Sequence, residues 1–286
     1  MPSQIAHILE SNPALFVAAV TVIGLFVGSF LNVVIHRLPI MMQRSWRSQC
    51  QELLELKQEP QETFNLNRPR SRCPHCGHMI SALENIPVLS YLLQRGRCKH
   101  CREPISVRYP LIELFTALMT GITAWHFGFG WPALFAVLLT WALIAMSFID
   151  IEHHLLPDDI TLPFLWLGLG LSLFGIFTGM QEAIIGAIAG YLSLWLVYWA
   201  FKLLTGKEGM GYGDFKLFAL FGAWLGWQSL PLVILLSSLV GAAIGIAMIV
   251  LRGRDRQLPI PFGPYLAAAG WIALLWGDAM IEAYLV

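Results

Sequence analysis

Four cysteines and two aspartates are the residues of this chain whose types and spacing could do chemistry. Cys73-Pro-His-Cys76 and Cys98-Lys-His-Cys101 form two Cys-x-x-Cys knuckles with 21 residues between them. Four thiolates at that spacing match a tetrahedral zinc site. Redox chemistry, or His75, His78 or His100 in place of one thiolate, remain as other readings, and Cys50 is left over as a free thiol. Asp150 ends a long apolar run, and Asp214 follows the glycine-rich stretch Gly209-Met210-Gly211-Tyr212-Gly213. Acids in or beside apolar helices are expensive to keep there, which makes them candidate functional groups. Two carboxyl groups sharing a site do not both ionise easily. One carboxylate and one carboxylic acid are the pair needed to activate a water and protonate an amide leaving group, with no serine or cysteine nucleophile. The plainer reading of Asp158, Asp159 and Asp214 is helix N-capping.

The elements that must position these residues are apolar. Of 286 residues, 57% are hydrophobic and 13% charged, against roughly 25% charged in a soluble domain. That balance excludes a water-soluble globular domain, and it excludes disorder, which needs low hydrophobicity and high net charge. The charges are uneven: twelve of the 18 Lys and Arg lie between Arg37 and Arg108, with only six of the 18 acids. The expected fold is an all-α polytopic membrane protein of about eight transmembrane helices, with a small zinc-binding insertion after the first. The spans are expected at 14–35, 110–127, 131–149, 160–177, 183–203, 214–227, 230–251 and 264–285, the sixth being short and interrupted by Gly222 and Gly226. The expected divisions are 1–36 (first helix), 37–109 (insertion) and 110–286 (seven-helix membrane domain). Within the insertion, 43–70 reads as polar helix or loop. The first span is read as a membrane helix, not a cleaved signal, because it has no basic n-region and is too long for an h-region.

If the spans alternate, every Lys and Arg falls on one side, including Lys202, Lys207, Lys216, Arg252, Arg254 and Arg256. The positive-inside rule then puts both termini outside, with the insertion, Asp150 and Asp214 at the cytoplasmic face. Glycines four apart, Gly24/Gly28, Gly186/Gly190, Gly222/Gly226 and Gly241/Gly245, read as ordinary close helix packing in lipid. The basic insertion faces anionic lipid headgroups rather than nucleic acid.

Gly211-Tyr212-Gly213-Asp214 matches the Gly-x-Gly-Asp signature of intramembrane aspartyl proteases, and nearly the whole chain resembles the bacterial type IV prepilin peptidases (prepilin leader peptidase/N-methyltransferase). The likeness includes Gly28-Ser29-Phe30-Leu31-Asn32, Arg37-Leu38-Pro39, both knuckles, Glu84-Asn85-Ile86-Pro87, Ser90-Tyr91-Leu92, Arg95-Gly96-Arg97, Ile105 to Glu113, both aspartate segments and Pro261-Phe262-Gly263-Pro264. The resemblance implies that Asp150 and Asp214 form the protease dyad. It implies prepilin or pseudopilin substrates with an apolar N-terminal helix, cut between Gly and Phe, at the cytoplasmic face of the bacterial inner membrane. It also implies methylation of the new N-terminal amine by S-adenosylmethionine, assigned to the insertion, with Gly96 at a position associated with methylation. Glu84, Asn85, Arg95 and Arg97 are candidates for the methyl-donor contacts by position alone; the plainer reading has Arg95 and Arg97 meet lipid phosphates or neighbouring acids. Glu113 either pairs with Arg108 or serves the site, and His153 and His154 read as bystanders. The rival classes are an ion-coupled transporter, a scaffold of a secretion complex, and a leader peptidase without methyl transfer.

Overall fold

The structure is a computed structural model, and it describes residues 2–56, 63–252 and 261–285. Arg254 and Arg256, which entered the charge argument, lie outside the described residues. All named elements are helical, and the Cα packing separates two compact units, Met1–Phe129 and Gly130–Val286.

In the first unit, α1 (Pro2–Ser11) precedes α2 (Pro13–Leu53), whose start is capped by the Asn12 side chain accepting from the Leu15 N–H at 3.2 Å. With 41 residues, α2 is about 62 Å long, twice a bilayer core. It therefore continues well past the expected end at residue 35, through Pro39 and into the polar stretch, at the loss of one backbone bond at the proline. Arg37 is buried on it and donates to the Asn65 and Leu66 carbonyls at 2.9 and 3.3 Å. The loop between the knuckles carries the short α3 (Leu89–Leu93), and after the second knuckle α4 (Arg108–Phe127) returns along α2. Glycines on α2 make this seam close: a Cβ at Gly24 would lie 2.9 Å from the Thr120 Cβ, and one at Gly28 would lie 2.7 Å from the Glu113 Cα.

The second unit contains α5 (Trp131–His153), α6 (Asp158–Ser172), α7 (Met180–Thr205), α8 (Tyr212–Leu225), α9 (Leu230–Arg252) and α10 (Gly263–Leu285). At its centre is α8, buried at every position from Asp214 to Trp224 except Lys216. Three neighbours accept it on small residues. Trp224 lies over Gly168 of α6 and donates to the Phe164 carbonyl at 2.8 Å. Gly222 meets the backbone of Gly186 on α7, and Phe221 covers Gly270 of α10. Thr161 of α6 donates to the Met146 sulfur of α5 at 3.3 Å, and Trp271 of α10 donates to Thr140 of α5 at 3.1 Å.

Each of the eight expected spans contains a helix, though α6 stops at Ser172, short of the expected 177. Only five stretches among the described residues are long and apolar enough to cross a membrane: Pro13–Leu53, Trp131–His153, Met180–Thr205, Trp227–Met248 and Gly263–Ala283. By length and composition these five are the candidate spans, and the count of eight is not confirmed. The helices α6 and α8 have 15 and 14 residues, about 21–23 Å, shorter than a ~30 Å hydrocarbon core. A short helix is tolerated at membrane depth when protein surrounds it, because its end groups then meet protein instead of lipid.

Candidate functional site

The knuckles of the first unit are two copies of one turn. Cys73 N–H donates to the His78 carbonyl at 2.9 Å and Gly77 N–H to the Cys73 carbonyl at 2.9 Å; Cys98 N–H donates to Glu103 at 2.8 Å and Arg102 N–H to Cys98 at 2.9 Å. The fifth residue of each turn has positive φ, +70° at Gly77 and +60° at Arg102, so glycine fits the first without strain. Antiparallel bridges Arg72–Met79 and Arg97–Pro104 close the two turns.

The turns aim four sulfurs at one point. Cys73 Sγ is 3.8 Å from Cys101 Sγ, Cys76 Sγ is 4.0 Å from Cys98 Sγ, and all four lie within 4.8 Å of one another. Zinc–sulfur bonds of about 2.3 Å in a tetrahedron require sulfurs about 3.8 Å apart, so the set fits a zinc ion. Backbone N–H groups of Cys76 and His75 bring the Cys73 thiol down to about 7, and those of Cys101 and His100 lower Cys98. Cys101 receives a backbone N–H from Glu103, yet burial and the sulfurs of Cys76, Cys98 and Cys73 push it up to about 12. The histidines are engaged elsewhere: His78 stacks on His100 at 5.3 Å and approaches Glu84 at 3.5 Å, and His75 approaches Glu103 at 3.8 Å. Among the described residues, these four cysteines are the one group arranged to hold a metal.

Gly96 sits at φ +67° before the second knuckle, where a Cβ would lie 2.8 Å from the Tyr91 hydroxyl. It shapes that turn and offers no side chain. Glu113 Oε2 accepts the Val88 N–H at 2.7 Å, tying the chain after Pro87 to α4. Val88 there has φ +58°, costly for a β-branched residue. Asn32, 6% exposed, donates to the Gly28 and Tyr109 carbonyls at 3.2 Å each, while its Oδ1 is buried with no hydrogen-bond partner.

The second unit carries the aspartates. Asp150 stands in the last turn of α5, which His154 ends in the left-handed conformation by donating its N–H to the Asp150 carbonyl at 2.9 Å. Asp214 is the third residue of α8. Its N–H donates to the Gly211 carbonyl, and the Gly211 N–H donates back to Asp214 Oδ2, both at 3.2 Å. Gly211 is therefore the N-cap, and Asp214 braces the cap from inside the helix, where a negative group meets the positive end of the dipole. Behind it, Tyr198 of α7, Tyr212 and Phe215 form a ring cluster with centroids 5.3–5.6 Å apart. Lys202 of α7 donates to Glu208 at 2.8 Å, which holds the Glu208 carboxyl below its usual range and fastens the loop before α8.

Asp150 and Asp214 are 6% and 7% exposed. Their carboxyl groups lie within electrostatic range of each other, and His154 lies within range of Asp150. Asp158 and Asp159 are not N-caps: Pro157 holds that position, both acids fall in the first turn of α6, and Asp158 is bound through both oxygens by Lys216 of α8 at 2.7–2.8 Å. Two neighbours of the aspartates carried no role in the sequence reading. Gly263 N–H donates to Asp150 Oδ2 at 3.0 Å, and Leu156 packs against both Gly213 and Gly263. The Pro261-Phe262-Gly263-Pro264 run at a helix start was the only signal for the first.

Comparison with known proteins covers both units. The model of the bacterial peptidase A24 N-terminal domain matches residues 22–127, and that of the type IV leader peptidase family matches residues 137–246. A prepilin leader peptidase/N-methyltransferase of Stutzerimonas stutzeri is 61% identical over 278 residues, covering 97% of this chain and 96% of the relative. Proteins of the same name from Pseudomonas aeruginosa and Aeromonas hydrophila are 59% and 58% identical, covering 97% and 99% of this chain and 96% and 97% of the relatives. No solved structure matches the chain.

Proposed function

The chain belongs to the type IV leader peptidase family, and from that premise we propose that it removes the short basic leader of prepilin-like substrates and methylates the new N-terminal amine. The observation that supports cleavage is the pair of buried carboxyl groups, each steadied through Oδ2 by one backbone N–H, Gly263 for Asp150 and Gly211 for Asp214. The other oxygen of each is assigned to water and substrate. One carboxylate takes a proton from water as its oxygen adds to the scissile carbonyl. The other, protonated, gives its proton to the departing nitrogen as the C–N bond breaks. The substrate's apolar helix lies in the bilayer, and the basic loops of the chain support a bacterial inner-membrane enzyme with this site at the cytoplasmic face.

Zinc on Cys73, Cys76, Cys98 and Cys101 staples a segment with little apolar core of its own. S-adenosylmethionine, when bound, supplies the methyl group. Its amine and ribose hydroxyls need buried acceptors, and the first unit offers the free Oδ1 of Asn32 and the Glu113 carboxylate. Gly96 shapes the turn on which that activity depends.

The test is cleavage of a prepilin-like peptide by the purified protein. Asp150→Asn and Asp214→Asn are each expected to lower kcat by at least about 10²–10⁴-fold. Zinc content, and methyl transfer to a substrate that is already cut, should stay intact, and Asp158→Asn should cleave normally. Normal cleavage by either dyad variant would remove that aspartate from the mechanism. Cleavage without methyl transfer from labelled S-adenosylmethionine would leave a leader peptidase alone.

A further inference from the structure

We propose that Gly263 is a positioning residue for Asp150: its N–H and its missing side chain together set where the Asp150 carboxyl group points. The inference rests on Asp150 being a catalytic carboxyl group, as proposed above.

Gly263 is the first residue of α10, so its N–H is one of those a helix start leaves without an internal partner. The next residue, Pro264, has no N–H and cannot compete. The Gly263 N–H instead reaches 113 positions back in sequence and donates to Asp150 Oδ2 at 3.0 Å in buried surroundings. The bond fixes one carboxyl oxygen and orients the other.

Space is the second half of the device. A Cβ at 263 would lie 2.7 Å from Asp150 Oδ2 and 3.1–3.2 Å from the two Leu156 methyls. The backbone of Gly263 is outside the left-handed region, so alanine could adopt it. Glycine is therefore needed here for room and not for conformation. The same Leu156 side chain fills the space over Gly213, where a Cβ would lie 2.7 Å from the Leu156 Cβ. Leu156 is thus wedged between the glycine that precedes Asp214 and the glycine that holds Asp150. Further along, α10 is anchored by Trp271 on Thr140 and by Phe221 over Gly270, so its first turn has little freedom to retreat. A methyl group at 263 would be accommodated by the lightest movable neighbour, the Asp150 carboxyl group, which must swing by several tenths of an ångström.

The experiment uses the full-length protein in detergent or nanodiscs and compares Gly263→Ala, Leu156→Ala and the double variant with wild type. Misplacing a reacting group by up to about 1 Å costs up to about 10²-fold in rate. Gly263→Ala is expected to lower kcat for peptide cleavage about 10–100-fold, with KM within about two-fold. The thermal unfolding midpoint in detergent should not change, nor should zinc content and methyl transfer to a substrate that is already cut, since a folding defect around α10 would lower that midpoint and a misdirected carboxyl group would not. The double variant removes the Leu156 crowding but keeps the crowding of Asp150, so its kcat should stay about 10–100-fold below that of Leu156→Ala alone. If Gly263→Ala does not fold, that second comparison carries the test. Wild-type kcat in Gly263→Ala, or a double variant as fast as Leu156→Ala, overturns the proposal. Normal cleavage by Asp150→Asn would instead overturn the dyad on which it rests.

Discussion

Replacing Gly190 of α7 with alanine tests whether the position of α8 sets the catalytic geometry. A Cβ at 190 would lie 2.8 Å from the Phe218 carbonyl oxygen and 3.0 Å from the Ala219 Cα, both on the α8 backbone one turn after Asp214. Neither atom can rotate out of the way as a side-chain tip could. The oxygen contact falls roughly 0.6 Å short of the 3.4 Å at which ordinary van der Waals contact begins, so α8 or α7 must move by about that much. Overpacking on this scale costs about 1–3 kcal/mol. For a protein of this size that lowers the midpoint of thermal unfolding by roughly 2–5 °C. The shift falls next to Asp214, and cleavage should drop about 10-fold through kcat. Gly170→Ala on α6 is the internal control: a Cβ there meets nothing within 4 Å, and alanine is the better helix former by about 1 kcal/mol. Both variants would be followed by thermal unfolding in detergent and by peptide cleavage. Equal stability and activity of Gly190→Ala and wild type, or equal damage from Gly170→Ala, would refute the packing argument.

Two further outcomes concern the first unit. Cys73→Ser or Cys98→Ser, or removal of zinc by a chelator, should release the metal, open the 63–107 region to limited proteolysis and reduce methyl transfer more than cleavage; equal loss of both activities in the variants would mean global misfolding instead. Glu113→Ala leaves the Val88 N–H without its 2.7 Å acceptor, at a cost of about 1–3 kcal/mol. Hydrogen exchange at the Val88 amide should speed up and methyl transfer fall, and an unchanged exchange rate would show that Glu113 does not hold that segment.

Much of this arrangement is legible in the order of residue types. Two Cys-x-x-Cys pairs in a polar, basic stretch announce a metal staple, and the structure brings their sulfurs to tetrahedral spacing. Two acids at the ends of apolar runs are legible as a candidate pair, and the structure places their carboxyl groups within electrostatic range of each other in one unit. The short α8 was expected at nearly its observed bounds, but the end of α6 at Ser172, five residues before the expected 177, was not legible in the same way. An apolar run reports that a segment leaves water, not whether it then meets lipid or protein. Phe221 reads as one more lipid-facing residue until Gly270 is found beneath it, and Trp224 does so until Gly168 and the Phe164 carbonyl are found. The extension of α2 through Pro39 was hidden by a residue that usually ends a helix.

The Asp150–Gly263 bond shows why the last step to the site resists local reading. A capping aspartate ordinarily leaves a signature within three or four positions of the helix it serves, as Asp214 does with Gly211. Asp150 serves a helix that begins 113 positions later, so no window along the chain contains both partners. What remains visible locally is a glycine with ordinary backbone angles, placed before a proline at a helix start. Its reason for being glycine lies entirely in the carboxyl group above it. A glycine that the backbone does not require is thus a pointer to a close neighbour, and here that neighbour belongs to the pair of acids proposed to cut the substrate.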